Sequence, residues 1–506
     1  MSIEIKAKHW YRAILIYIYS GVFVFLLGWT KPIISLFSIV CMIVPLKKVW
    51  CDFTSKQDKR IVIDIKILLG IIVGIAVLGY CLGWGGFVPQ PGDWSKHNAI
   101  MTDLVLRDWP VYYYNTQTSM LTYYIGQYMI PAFFGKIVGL FFGGTKAVFG
   151  AYVFQYFWSC LGLLFVVIGV FFVVNPQKKW QYGLVFLIVS FFGNFLEFGQ
   201  KIYGYYNADN VSNSLHWLSE NVKIQYSSNY VMLHWVFPQC IVSWLCVLVF
   251  LENKKRIDYY IVWFMPLLLY SALPFLGLVI ILVCYFLYEL CKSSDKKGTM
   301  LECFSKQNIF TLIGVGTILF FYLLGNFAVE KPDVNKLKLM EYNGDIWLYI
   351  VFLISSVGIY IVSLFTTYKK EVLYWIISIQ LLFVYPAFTM GKHNDFTMRA
   401  SIPALFILMV LVCMYIINSN KCKSLLMIIL VVLGMHYPIK ECIDYAKLDN
   451  IMDLSETWEF DEGTMETFAN PEVDIVSDEG FKYNYYTYEL ENSIFYKYIA
   501  RTKLEK

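Results

Sequence analysis

With 506 residues, 58% of them hydrophobic and 15% charged, the chain falls well below the about 25% charge of an average soluble domain. This excludes an ordinary soluble enzyme and points to an all-α polytopic membrane protein. The formal net charge of +4 is too small to recruit nucleic acid, and the basic residues stand in short clusters between apolar runs, where they report topology.

Apolar runs able to cross a hydrocarbon core of about 30 Å lie near 13–29, 32–46, 64–87, 147–174, 182–198, 231–252, 257–272, 274–291, 309–328, 347–367, 371–389, 400–418 and 423–437. The first follows Lys6, Lys8 and Arg12 and has no small-residue cleavage site after it, so a retained span is expected. Clusters at Lys47 to Arg60, Lys178 and Lys179, Lys254 to Arg256, Lys292 to Lys297, Lys369 and Lys370, and Lys421 and Lys423 are expected on the cytoplasmic side.

The segment Met120 to Phe142 is also apolar enough to span. If it crossed, the clusters on either side of it could not all be cytoplasmic, so it is assigned outside as an interfacial or re-entrant helix kinked at Pro131. About thirteen spans result, with the amino terminus cytoplasmic and the carboxyl terminus extracytoplasmic. Lys331, Lys336 and Lys338 then fall outside against the rule.

Three parts follow: 1–63, two spans and a basic loop; 64–438, a transmembrane core; and 439–506, a small outer tail domain. Outer loops are expected at 88–146, 199–230, 329–346 and 391–399. The twelve cysteines form no CxxC pair and no zinc-like spacing, so no disulfide framework is expected.

The first outer loop carries a polar island, Pro89 to Arg107. Read as a helix from Asp93, positions 93, 96, 100, 103 and 107 share one face, with Trp94, Met101 and Val105 opposite. This predicts an amphipathic helix on a membrane surface, with its carboxylates turned outward. Asp93 is either a simple N-cap or a carboxylate that takes a proton from an attacking hydroxyl. Asp103 and Asp108 are further acidic candidates for a divalent cation, Mg or Mn. On one straight helix Asp93 and Asp103 would stand about 15 Å apart, so Asp103 is expected to pair with Arg107.

Five of the six histidines, His97, His216, His234, His393 and His436, fall on or near the outer side of this topology. A second island, Gly391 to Pro403, places Lys392, His393, Asp395 and Arg399 at the start of an apolar run, where a guanidinium suits a phosphate. A third, Asn207 to Gln239, holds His216, Glu220 and His234 among aromatic residues, a composition that suits sugars and equally a membrane-interface belt.

An outer loop with an early carboxylate, followed by an aromatic interfacial helix ending in Phe134-Gly135-Lys136 and then a new span, resembles the first outer loop of the GT-C membrane glycosyltransferases. These are polyprenyl-phosphate-sugar enzymes such as the protein O-mannosyltransferases and the aminoarabinose transferase of lipid A. Members often carry an adjacent Asp-Glu pair, whereas Trp94 follows Asp93 here.

The resemblance implies a sugar passed from a polyprenyl-phosphate donor to an envelope glycan, lipid or protein acceptor on the extracytoplasmic face of a bacterial plasma membrane. Asp93 would be the base, with Asp103 and His97 as the other catalytic candidates. Arg399 or Lys392 would hold the donor phosphate, and Lys96, Arg107, His216, Glu220, His234, His393 and Asp395 are the further substrate-binding candidates. The alternatives are a transporter or flippase of lipid-linked sugars, or a glycan polymerase or ligase.

Overall fold

The computed structural model describes residues 2–501 apart from 54–58, 89, 91, 115–117, 207–223, 328–335, 341–345, 392–393, 446–466, 469–484 and 488. Strand β1 (Ser2–Lys6) leads into helix α1 (Ala7–Trp29) and pairs antiparallel with β2 (Arg60–Asp64), which follows helix α2 (Pro32–Lys48). This ribbon ties the chain start to the foot of helix α3 (Ile65–Cys81). Asp64 caps α3 by accepting the Lys66 amide at 3.0 Å, so one of the orphan amides of its first turn is satisfied.

Six helices are long and apolar enough to cross a membrane, or up to eight if each of two bent pairs counts as one span. The fold is therefore an all-α, multi-pass membrane architecture. The remaining segments expected as spans fall on shorter apolar helices of 10–17 residues. Two of these, Phe237–Glu252 and Ile402–Asn418, are buried along nearly their whole length, and they stack on one another through Trp244 and Phe406 at 5.0 Å. Their hydrophobicity serves a protein core, and hydropathy cannot separate such a helix from one that faces lipid.

Helix α1 is packed against the rest of the molecule along much of its surface. Trp10 Nε1 donates to Phe165 O at 2.8 Å and Tyr19 OH to Val262 O at 2.6 Å, so the first 63 residues are not a detachable piece. The stretch after α3 forms helix α4 (Trp94–Leu106), strands β3 (Tyr112–Tyr114) and β4 (Thr118–Leu121), and helix α5 (Gly126–Phe142). A tight turn leads to helix α6 (Gly144–Val174), which at 31 residues is about 46 Å long.

From Tyr156 onward α6 lies along α3, where Tyr156 OH donates to Ala76 O at 2.7 Å and Gly79 meets Cys160. Its first half projects past the carboxyl end of α3 and carries α5 beside it, with Gly135 against Ala151 and Gly139 against Ala147. Lys136 of α5 donates to Val105 O at 3.0 Å and to Arg107 O at 2.5 Å, covering carbonyls that α4 leaves open at its end. Helices α4 and α5 thus pack against one another and against the first half of α6.

The expected surface helix is instead a buried one. In α4 every residue from Ala99 to Val105 is buried, because α5, α6 and the carboxyl-terminal segment enclose it. That segment is woven into the same end of the molecule. Strand β5 (Lys338–Leu339) pairs with β6 (Phe388–Thr389), and β7 (Tyr486–Thr487) adds to β4 to complete a three-stranded sheet. Farther on, Arg501 N donates to Trp29 O at 2.8 Å, and Lys31 N to Ile499 O at 2.9 Å. The described tail residues are thus packed into the transmembrane core rather than standing apart from it.

Candidate functional site

A cavity of about 380 Å³ opens where α4, the stretch after β4, the Trp235–Gln239 bend, the helix Asp395–Ala400 and the carboxyl-terminal segment converge. From α4 come Asp93, Lys96, His97 and Ile100; from the second island, Gly391, Asp395 and Arg399; from the tail, Tyr485. Two polar islands some three hundred residues apart in sequence therefore meet.

Asp93 occupies the N-cap position of α4 with αR backbone and makes no side-chain capping bond. Its carboxylate instead meets Lys96 Nζ at 2.5 Å, with 55% of the Asp93 side chain still exposed. The local loop sets this geometry. Gly92, at φ +64°, packs under the Trp235 ring, Asn98 Nδ2 donates to Gln90 Oε1 at 2.9 Å, and Gln90 Nε2 donates to Gly83 O at 2.6 Å. Desolvation pushes the Asp93 carboxyl up, but Lys96, then His97 and Arg399, outweigh it, so its pKa lies below the ordinary value.

Arg399 is held opposite. Asn394, in the left-handed region at φ 54°, caps the short helix by accepting the Thr397 amide at 3.3 Å, and Arg399 Nη2 then reaches Asp395 Oδ1 at 3.1 Å. Its Nε is buried with no partner among the described residues, a costly state for a charged donor unless an acceptor arrives. Desolvation works against the guanidinium, yet Asp395 and the surrounding Tyr123, Tyr124 and Tyr485 more than compensate, and it stays protonated.

His97 lines the cavity, but both of its ring nitrogens are engaged. Nε2 faces the Trp235 carbonyl at 3.0 Å and so carries the hydrogen, which leaves Nδ1 to accept from Tyr128 OH at 2.5 Å. Burial drives its pKa down to about 4. It is a neutral post that fixes α4 to the Trp235 bend, and its role as a catalytic candidate is corrected accordingly.

Asp103 and Arg107 are corrected as well. Neither lines the cavity. Asp103 is buried and accepts from Tyr113 OH at 2.9 Å, from the Phe468 amide at 3.0 Å and from Thr467 OH. Arg107 pairs with it at 3.3 Å and lies over the Tyr113 ring. The shared helical face was correct for two turns; beyond Ile100 it meets the tail.

His234, expected at substrate, is buried between Trp235 and Tyr445, with ring centroids at 4.3 and 4.5 Å, and its neighbours Trp235 and Gln239 line the cavity in its place. His216, Glu220, Lys392 and His393 lie outside the described residues.

The aromatic wall was missed from sequence. Tyr123 and Tyr124 are fixed through Tyr322, whose OH accepts the Tyr123 amide at 3.1 Å, and the Tyr123 and Tyr485 rings lie 4.6 Å apart. The only sequence signal was two tyrosines standing directly before α5. Apolar residues Ala272, Leu273, Leu323 and Met390 complete the lining.

The carboxylates at the cavity, Asp93 and Asp395, are each engaged by a cation of their own helix, and the described residues contain no group of three His, Cys, Asp or Glu side chains able to hold an ion. No family model, no curated protein and no solved structure matches the chain.

Proposed function

We propose that this protein is a membrane glycosyltransferase that passes a sugar from a polyprenyl-phosphate donor to a hydroxyl acceptor in the cell envelope. The single observation that carries this reading is the meeting of Asp93 and Arg399 in one half-apolar cavity. In this proposal about thirteen spans place the cavity on the extracytoplasmic face of a bacterial plasma membrane, where nucleotide sugars are not supplied and a lipid-carried donor is.

The donor phosphate would sit on Arg399, whose buried Nε lacks an acceptor among the described residues and whose planar fork matches phosphate oxygens. The sugar would lie against the rings of Tyr123, Tyr124, Tyr485 and Trp235, which offer flat apolar faces beside hydroxyl and indole groups. The prenyl chain would leave along Leu273, Leu323 and Met390.

The acceptor oxygen attacks the anomeric carbon while its bond to phosphate oxygen breaks. Asp93 takes the acceptor proton, and the polyprenyl phosphate leaves as an anion stabilised by Arg399. Lys96 links the two ends. An arriving phosphate attracts it away from Asp93, so donor binding strengthens the base that the reaction needs.

The test is turnover of a polyprenyl-phosphate hexose by the protein in lipid nanodiscs. Asp93→Asn is expected to keep donor binding and lose transfer by at least about 100-fold, the usual size of a positioned base. Transfer at the parental rate by this variant would remove the proposal.

A further inference from the structure

Along the middle of α1, away from the cavity just described, a groove of about 490 Å³ runs between α1 and the carboxyl end of α2. Its walls are Leu15, Ile16 and Phe23 on one side and Leu46 and Trp50 on the other, and the volume is that of an ordinary ligand site. The groove opens toward lipid. Helix α2 leaves Ile33, Leu36, Phe37 and Ile43 more than half exposed, and Ile16 on the groove itself is 58% exposed.

One end of this groove is cationic. Lys47 lines it, while its neighbour Lys48 turns away to Asp52 at 3.3 Å. Arg12 stands beside it, with its guanidinium 4.7 Å over the Trp50 ring and Nη2 on the Trp50 carbonyl at 3.2 Å. The Arg12 Nε is buried and has no partner among the described residues. An apolar slot between membrane helices with a cationic mouth is complementary to one class of molecule: acyl chains go into the slot and the headgroup phosphate to the mouth.

We infer that the α1–α2 groove is a specific binding site for an anionic phospholipid, with an acyl chain along Leu15, Ile16 and Phe23 and the phosphate at Lys47 and Arg12. The site is independent of the proposed transfer chemistry. Because α1 packs against α5 and α6 while α2 faces outward, a lipid here would hold α2 against the core.

The experiment is native mass spectrometry of the delipidated full chain titrated with phosphatidylglycerol or with phosphatidylcholine of the same acyl chains. One phosphatidylglycerol is expected to bind about fivefold more tightly than phosphatidylcholine, the worth of one lysine near a headgroup. Lys47→Gln should erase that preference. Ile16→Trp, which fills the slot from an exposed position, should weaken both lipids.

Equal binding of the two lipids by the parental protein would overturn the inference, as would unchanged phosphatidylglycerol binding in both variants. A lipid-free dimer occluding the groove, seen as a doubled mass, would overturn it too.

Discussion

Asp103 accepts a hydrogen bond from the Phe468 amide at 3.0 Å, so a carboxylate of α4 fastens the carboxyl-terminal segment. Tyr113, Thr467 and Arg107 complete the set of donors around it. The Phe468 ring in turn packs on Tyr485 at 5.0 Å, and Tyr485 walls the cavity.

Asp103→Ala is therefore expected to strand a guanidinium and three other donors, at a cost of about 3–5 kcal/mol. The thermal midpoint should fall, and limited proteolysis should release the tail first. Unchanged tail protection would show that β7 and the segment up to Arg501 hold it without Asp103.

The two polar islands were legible because ionisable residues are rare in a chain this apolar, and each interruption stood out against its flanks. That Asp93 and Arg399 face one another was legible only as a shared side, since helical periodicity orders residues around an axis and says nothing of the partner across a gap. Periodicity also placed Asp103 with Asp93. The error lies in the neighbour: tail residues 364 and 365 positions away cover that turn of α4. Helices such as Phe237–Glu252 are buried in protein along nearly their whole length, and hydropathy alone cannot separate that from burial in lipid, because both select the same side chains.

Lys96 sets the acid limit of Asp93. With Lys96 present the carboxyl ionises below its ordinary range, so the base is competent throughout mildly acidic conditions. In Lys96→Gln the largest lowering influence is gone and desolvation remains. The acidic limb of kcat/KM is then expected to move upward. A pH profile on nanodisc protein reads this directly, and a limb identical to the parent would exclude the pair as the tuning element.

His97 makes stability pH-dependent. Its folded pKa of about 4 lies below the unfolded value of about 6.5, so the unfolded chain binds the extra proton between them. The stabilisation from the neutral ring is complete above the unfolded pKa. It is lost progressively as pH falls toward the folded one. Thermal midpoints should decline from about pH 6.5 toward pH 4 in the parent, and this decline should flatten in His97→Gln. Tyr128→Phe, which strips the donor from Nδ1, should cost about 1–3 kcal/mol at neutral pH.

Gly391 fixes the second island. It stands at φ +82°, and a Cβ there would strike the Asp395 carboxylate, the group that holds Arg399 at 3.1 Å. Gly391→Ala combines a left-handed backbone that alanine resists, about 1–2 kcal/mol, with displacement of Asp395. Arg399 would then lose its orienting partner while keeping its charge. The expected phenotype is a folded protein with a modestly lower thermal midpoint and a several-fold higher KM for the lipid-phosphate donor. Asp395→Asn, which weakens the same ion pair without touching the backbone, should raise KM in the same direction with little change in midpoint. A normal KM in both variants would mean that Arg399 finds the phosphate without Asp395 to aim it.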